Sequence, residues 1–238
     1  MILYYISDRR QFPGTEQQKR ERLLAKVAEA ARCGVDFIQL REKDLTAREL
    51  LELARAALDA MRGVSSAKLL VNSRVDVALA AGADGVHLTS SDIPASDARV
   101  VAGELWDGGN FKRLFIGVSC HTAAEVKLAE AQGADFAVFA PVFEKVAAPQ
   151  RSGVGLDALR EACRAEGRPI GPEAVGASRM PVLALGGIAV ENAGDCMMAG
   201  AAGIAAIRLF QGNDIQEVLR RLSLAPSPEE EGCGTQQF

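Results

Sequence analysis

The chain has 238 residues, 48% hydrophobic and 24% charged, with a formal net charge of −4. That balance reads as soluble and globular, in two small domains or one large α/β barrel, and gives no reason to expect nucleic acid or an anionic membrane as partner. No apolar run approaches a membrane span and Met1–Tyr5 enters a strand without a basic signal-peptide start, while five scattered cysteines (33, 120, 163, 196 and 233) without a CxxC pair suit free thiols in a reducing, cytoplasmic setting.

Taken in order, the chain alternates strand and helix eight times. Ile2–Ile6 reads as the first strand, closed by Ser7 and Asp8. A helix follows over Gln17–Arg32, with Leu23, Leu24, Val27 and Ala31 at helical spacing, and ends near Gly34. Val35–Leu40 is an apolar second strand that stops in Arg41, Glu42, Lys43 and Asp44. Thr46, with Glu49 three residues on, makes a capping box for the next helix. Lys68–Asn72 is a third strand trailed by a short helix to Ala81, and Asp84–Leu88 is a fourth with a helix from about Pro94. Trp106 and the glycines at 108 and 109 read as loop. Leu114–Val118 is a fifth strand, and Thr122 with Glu125 predicts another capping box, opening a helix to Gln132. Asp135–Phe139 with the helix Leu156–Glu166, Pro181–Leu185 with Gly186, Gly187 and a helix to Ala199, and Gly203–Ile207 with the helix Ile215–Leu222 complete the series.

A weak internal repeat supports this reading. Cys33-Gly34-Val35-Asp36, Ala81-Gly82-Ala83-Asp84, Gln132-Gly133-Ala134-Asp135 and Ala199-Gly200-Ala201-Ala202 each end a helix in glycine and lead into a strand, as repeated βα units require. Eight such units in about 220 residues suit a single (β/α)8 TIM barrel over 1–224, whose site lies on the loops after the strands. A doubly wound open sheet is the competitor, but eight regular units without a nucleotide loop disfavour it. Two segments break the pattern: 167–179 reads as a surface insertion, and 225–238, with Pro226, Pro228 and Glu229-Glu230-Glu231, as a disordered acidic tail.

The end of the second strand is the first candidate site. Arg41 and Lys43 are two residues apart, so on extended chain they point the same way, and a guanidinium with an ammonium suits a multiply charged anion such as a pyrophosphate. Solvation of a strand end is the commoner fate of such a charge run. Other strand ends tip the balance: Asp8, Gln39, Asn72, Ser73, His87, Asp92, Ser119, His121, Phe143, Glu144, Lys145, Ile207 and Arg208 would all lie on one face. Gly186 and Gly187 at the seventh strand would let backbone N–H groups approach a phosphate, although a tight turn explains them nearly as well. His87 alternates into a barrel strand and reads as packed or lining. Cys120 and His121 are adjacent, point oppositely and make a poor dyad.

The motifs QLREKD at 39–44, NSRVDVALAAGADGVHL at 72–88, the Asp of SSDIP at 92, GVSCHTAAEV at 117–126, GADFAVFAPVF at 133–143 and PVLALGGI at 181–188 together resemble the thiamine-phosphate synthase/TenI superfamily, over essentially Ile2 to Leu222. The resemblance implies a transferase that joins 4-amino-2-methyl-5-(diphosphooxymethyl)pyrimidine to thiazole phosphate and releases pyrophosphate. It implies that Gln39, Arg41, Lys43, Asn72 and Ser119 bind the pyrimidine diphosphate. Gly187 would bind the thiazole phosphate, with Ile207 and Arg208 at the eighth strand end, and Asp92 would help hold Mg²⁺. Homo-oligomerisation stays open.

Several positions depart from the family pattern. Ser73 stands where the synthases carry a second magnesium aspartate, and a hydroxyl is a weaker ligand for that cation. The two threonines and lysine expected after the sixth strand are matched by Lys145, Ala147 and Ala148, leaving Lys145 to supply the catalytic ammonium, and Arg208 replaces a serine. Asn72-Ser73-Arg74-Val75-Asp76, Ser119-Cys120-His121 and Phe143-Glu144 also fit the TenI-type thiazole tautomerases, in which the histidine would move a proton. Three readings therefore stand: a synthase with an altered metal site, a tautomerase, and a barrel that binds thiamine-pathway phosphates without turning them over. The synthase leads on its complete QLREKD.

Overall fold

The computed structural model describes residues 1–63, 66–103, 105–107, 110–143, 153–164 and 180–224, with the side chains of 105–107 and 110–112 excepted. Eight parallel strands close into a barrel in chain order: β1 (Ile2–Ile6), β2 (Phe37–Leu40), β3 (Lys68–Asn72), β4 (Gly85–Leu88), β5 (Phe115–Cys120), β6 (Phe136–Phe139), β7 (Val182–Leu185) and β8 (Gly203–Ala206). The outer helices are α1 (Glu16–Cys33), α2 (Ala47–Met61), α3 (Val75–Ala81), α4 (Ala95–Ala102), α5 (Ala123–Ala131), α6 (Gly155–Cys163), α7 (Val190–Met198), a one-turn α8 (Arg208–Gln211) and α9 (Ile215–Leu224). The insertion expected at 167–179 and the tail expected at 225–238 lie outside the described residues.

Local chemistry sets the helix boundaries. Thr15 and Thr46 accept the N–H of Gln18 and Glu49, whose side chains return to the threonine N–H groups, so α1 and α2 both start in complete capping boxes. At α5 the expected box is half made. Thr122 accepts the Glu125 N–H at 3.1 Å, but the Glu125 carboxylate reaches one residue further back, to the N–H of His121 at 2.6 Å.

The glycine repeat performs two tasks. Gly34, at φ +90, ends α1 in a left-handed turn, and Val35 then donates to Ala30 O at 3.1 Å while its side chain is buried. Ala83, Ala134 and Ala201 bond back to their helices in the same way. The next residue stands just ahead of the strand. Asp36, Asp84 and Asp135 accept the backbone N–H of Leu3, Leu69 and Ile116 on the preceding strand at 2.8, 2.9 and 2.7 Å. Val35 therefore belongs to a helix cap, and β2 begins two residues later than hydrophobicity predicts.

Trp106, expected as loop together with the glycines at 108 and 109, instead lies in a short strand, Leu105–Asp107, that pairs antiparallel with Asn110–Lys112 outside the barrel. Two glycines between Asp107 and Asn110 are a hairpin signal that the loop reading overlooked.

Inside the barrel, Tyr4, Ile6, Leu70, Phe136, Val138, Leu183 and Ala205 form one buried cluster. Tyr4 meets Phe136 edge-on at 5.5 Å and 88°, and Phe37 lies 5.1 Å from Phe136. A side chain at Gly117 would overlap the Phe136 ring, so that glycine is what admits the aromatic layer. Burying each such ring stabilises the barrel by about 1.5–3 kcal/mol. One layer towards the strand carboxyl ends, registered positions turn polar: Gln39 beside Ile6, Asn72 beside His87, and Ser119 beside Val138. The apolar layers make the floor on which the site stands.

Candidate active site

At the end of β2, charges of opposite sign separate. Arg9, in the one-turn 3₁₀ helix Arg9–Gln11 after β1, is buried. Its guanidinium binds Glu42 at 3.0 Å, Asp44 through two nitrogens at 2.7 and 2.8 Å, and Glu16 at 2.5 Å. Glu42 also accepts the Ser7 hydroxyl at 2.5 Å, and Ser7 Oγ accepts the Arg41 N–H at 3.0 Å. Hydrogen bonding to Arg9 holds Asp44 down to about 2. Both acids of the charge run are thus claimed from behind. Among the described residues the side chains of Arg41 (half-buried) and Lys43 (exposed) have no ion-pair partner, which leaves a net positive strand end. Alternation around Arg41 and Lys43 carried a signal for a hidden cation, but not its address. Asp8, counted among the converging groups, instead meets Arg10 and Gln11 on the surface.

Four predicted residues form a continuous chain of hydrogen bonds. Gln39 Nε2 donates to Asn72 Oδ1 at 2.9 Å, Asn72 Nδ2 to Ser73 Oγ at 2.8 Å, and Ser73 Oγ to Asp92 Oδ2 at 2.7 Å. Thr89 adds its N–H and hydroxyl to the same Asp92 oxygen at 2.6 and 2.8 Å. Lys43, Asn72, Ser73, Thr89 and Asp92 line one pocket of ≈ 280 Å³.

A second group sits across the mouth. His87 Nδ1 lies 3.1 Å from the Tyr4 hydroxyl and His87 Nε2 lies 2.8 Å from Ser119 Oγ. Burial pushes the imidazole down to about 4, against the pull of nearby Asp92 and with the help of Arg41, so it is neutral near pH 7. The buried Tyr4 phenol has His87 as its hydrogen-bond partner. A tyrosine that donates to Nδ1 leaves Nε2–H to donate to Ser119 Oγ, and the Ser119 proton is then free for a ligand. Alternation placed His87 as a lining residue without showing this connection. His121 is exposed on the loop after β5. Its Nδ1 lies 2.7 Å from the carbonyl of Ala140, which can only accept, so Nδ1 is the donor there and Nε2 is the nitrogen left for a ligand. Burial pushes the neighbouring Cys120 thiol up to about 12, so it sits there as a neutral thiol.

At the remaining strand ends, Gly186 and Gly187 have φ of +102 and +65, and Asn192 Nδ2 donates to Gly187 O at 2.9 Å. A Cβ at Gly186 would lie 2.7 Å from Pro141 Cα. Ile207 caps α8 and Arg208 is its exposed first residue, without an ion pair among the described residues. Glu144 and Lys145 lie outside the described residues.

For a hard cation the donors present are few. Among the described residues no group of three or more acids, histidines or cysteines could enclose a metal. Among the described residues Asp92 Oδ1 accepts no hydrogen bond, and it is the carboxylate oxygen left over. One carboxylate fits a Mg²⁺ that keeps waters and draws its other ligands from substrate phosphates.

Cations without an ion pair among the described residues, a glycine turn at β7 and neutral hydrogen-bonding groups around an apolar floor are the kind of strand-end chemistry a (β/α)8 enzyme carries. A family model described as thiamine monophosphate synthase matches residues 3–210, and the chain belongs to that family. It is 44% identical over 212 residues to a relative from Geobacter sulfurreducens provisionally named a thiamine-phosphate synthase, covering 86% of this chain and 84% of the relative. A thiamine-phosphate synthase from Chlorobium luteolum is 37% identical over 215 residues, with 88% and 90% covered. The thiamine phosphate pyrophosphorylase structure from Pyrococcus furiosus superposes with a TM-score of 0.71 at 31% identity, covering 94% of both chains. The chain is accordingly an enzyme of this kind, a transferase of thiamine biosynthesis. No described helix is long and apolar enough to cross a membrane.

Proposed function

We propose that the chain joins 4-amino-2-methyl-5-(diphosphooxymethyl)pyrimidine to thiazole phosphate, giving thiamine phosphate and pyrophosphate. The observation that carries this reading is the withdrawal of Glu42 and Asp44 onto Arg9, which leaves Arg41 and Lys43 uncompensated beside Gln39 and Asn72. The methylene C–O bond breaks and its electron pair leaves with pyrophosphate. The resonance-stabilised pyrimidine cation is then captured by the thiazole nitrogen, forming the C–N bond. No protein nucleophile is needed, so the residues' work is positioning and charge stabilisation.

In this scheme Arg41 and Lys43 hold the diphosphate through charge-assisted hydrogen bonds. Ser119 offers its hydroxyl proton to the departing oxygen, backed by neutral His87. Gln39 and Asn72 orient the pyrimidine. The N–H groups near Gly187, with Ile207 and Arg208, hold the thiazole phosphate, and Lys145 would supply the ammonium expected after the sixth strand. Asp92 would hold Mg²⁺ arriving with the diphosphate, and the bound ion supplies positive charge against the leaving group. Scattered cysteines without a CxxC pair support a reducing, cytoplasmic setting.

The assay supplies both substrates and Mg²⁺ and follows thiamine phosphate. Arg41→Ala should weaken pyrimidine-diphosphate binding by roughly tenfold or more. Failure to form product at high enzyme concentration, or unchanged affinity in that variant, sinks the synthase scheme. His121, with Nε2 free, favours one second reading, proton transfer on a thiazole carboxylate phosphate. Solvent deuterium entering the thiazole ring would reveal it.

A further inference from the structure

We propose that Ser73 determines which pyrimidine ring the pocket accepts, by fixing the direction of a hydrogen-bond relay that ends on Gln39. The inference rests on the pyrimidine-diphosphate reading above and goes beyond it, because it gives Ser73 a task other than holding metal. The relay begins at Asp92. Its carboxylate can only accept, and Oδ2 takes the Thr89 N–H, the Thr89 hydroxyl and the Ser73 hydroxyl at 2.6, 2.8 and 2.7 Å. The single Ser73 proton is thereby spent, so its oxygen faces Asn72 as an acceptor and takes Nδ2–H at 2.8 Å. The Asn72 carbonyl must then face Gln39, where it accepts Nε2–H at 2.9 Å. Reversing either amide would set two acceptors or two donors against each other.

The last group in line is Gln39 Oε1. Gln39 is 1% exposed, and among the described residues this oxygen has no hydrogen-bond partner. Buried acceptors are rarely left unpaired, and one held in place by an oriented relay selects a ligand that brings an N–H. The exocyclic amine of an aminopyrimidine is such a donor. A ring with oxygen in place of the amine would set oxygen against oxygen. The backbone of Ser73 fits a positioning task too. It is the one described non-glycine residue with positive φ, at +61, and its N–H is pinned to His87 O at 2.8 Å. Strain of that kind persists where the surroundings fix it.

The test compares two ligands, the 4-aminopyrimidine diphosphate and its 4-oxo counterpart, with inorganic pyrophosphate as the control. All three are titrated calorimetrically in Mg²⁺ buffer against the native chain, Ser73→Ala and Ser73→Gly. Native protein should prefer the amino ring by roughly 100-fold. In both variants Asn72 and Gln39 are free to turn over together, so the preference should fall below about tenfold, chiefly through tighter binding of the oxo ring. Pyrophosphate affinity should stay within about twofold, because Arg41 and Lys43 are untouched. Glycine relieves the positive φ and alanine does not, so the variants should differ in melting temperature yet agree in lost selectivity. Selectivity retained in both variants overturns the relay. Parallel loss of affinity for all three ligands would mark Ser73 as a metal ligand or a structural prop, and also overturns it. Native protein that binds pyrophosphate but neither ring overturns the underlying synthase reading instead.

Discussion

The imidazole of His87 is sealed between Tyr4 and Ser119, and burial holds it at about 4, compared with about 6.5 in an unfolded chain. The folded pKa of this base is depressed, so below pH 6.5 the unfolded chain takes up a proton that the native state refuses. The stability contributed by the neutral ring is complete above pH 6.5 and is lost as pH falls towards 4. With those two values, moving from pH 7 to pH 5 should destabilise the fold by about 2 kcal/mol through this residue alone. Urea unfolding of the native chain and of His87→Gln at both pH values isolates the effect, since carboxylates that titrate nearby contribute equally to both proteins. Glutamine can still bridge Tyr4 and Ser119, so the variant should fold and lose much less stability between pH 7 and 5. An equal loss in the two proteins would refute the assignment of His87 as a buried neutral bridge. It would also remove the reason for treating Ser119 as a donor.

Arg9→Met should cost about 3–5 kcal/mol, because it strands the buried Glu42 carboxylate, and pairing it with Glu42→Gln should recover most of that in thermal melts. The single variant should also weaken pyrophosphate binding, with the freed acids standing beside Arg41 and Lys43; unchanged affinity would show that Arg9 does not prepare the grip. Two glycine substitutions separate conformational from steric cost. Gly34→Ala has φ +90 and open space around its Cβ, and should cost about 1 kcal/mol. Gly186→Ala adds a 2.7 Å collision with Pro141 to its φ of +102, and should cost about 3 kcal/mol or more by denaturant titration. Equal costs would show that the backbone around Pro141 yields.

The barrel was legible in the sequence because its repeat unit is local. A glycine that ends a helix, an apolar residue that covers the turn and an aspartate that opens the strand all act within four residues. The boundaries shifted for the same reason, since Val35 is apolar to cover a cap and not to pair in a sheet. Gln39, Asn72, Ser73 and Asp92 could be placed at strand ends and are joined in space, as are Lys43 and that pocket. Arg9 could not be placed. Its partners lie 33 and 35 positions away, and a surface arginine reads the same in sequence. The direction of the Asp92 relay was equally illegible, because it depends on which atom each amide presents. The strand pair around Trp106 was read as loop although two glycines separate Asp107 from Asn110 in the sequence, and Lys145 stays an expectation from sequence.

The hairpin at 105–112 follows α4 and leads into β5, and the stretch between Cys163 and Val182 likewise runs from a helix into a strand. The hairpin strands therefore belong to a connection that leaves and rejoins the barrel at its amino-terminal rim, opposite the strand ends that bear Arg41, Asp92 and Ser119. Length accumulated on that rim leaves the catalytic face undisturbed. A fluorescent domain or an affinity handle spliced at 108–109 should thus report on the protein without touching its chemistry, whereas the same cargo after any strand would block the mouth.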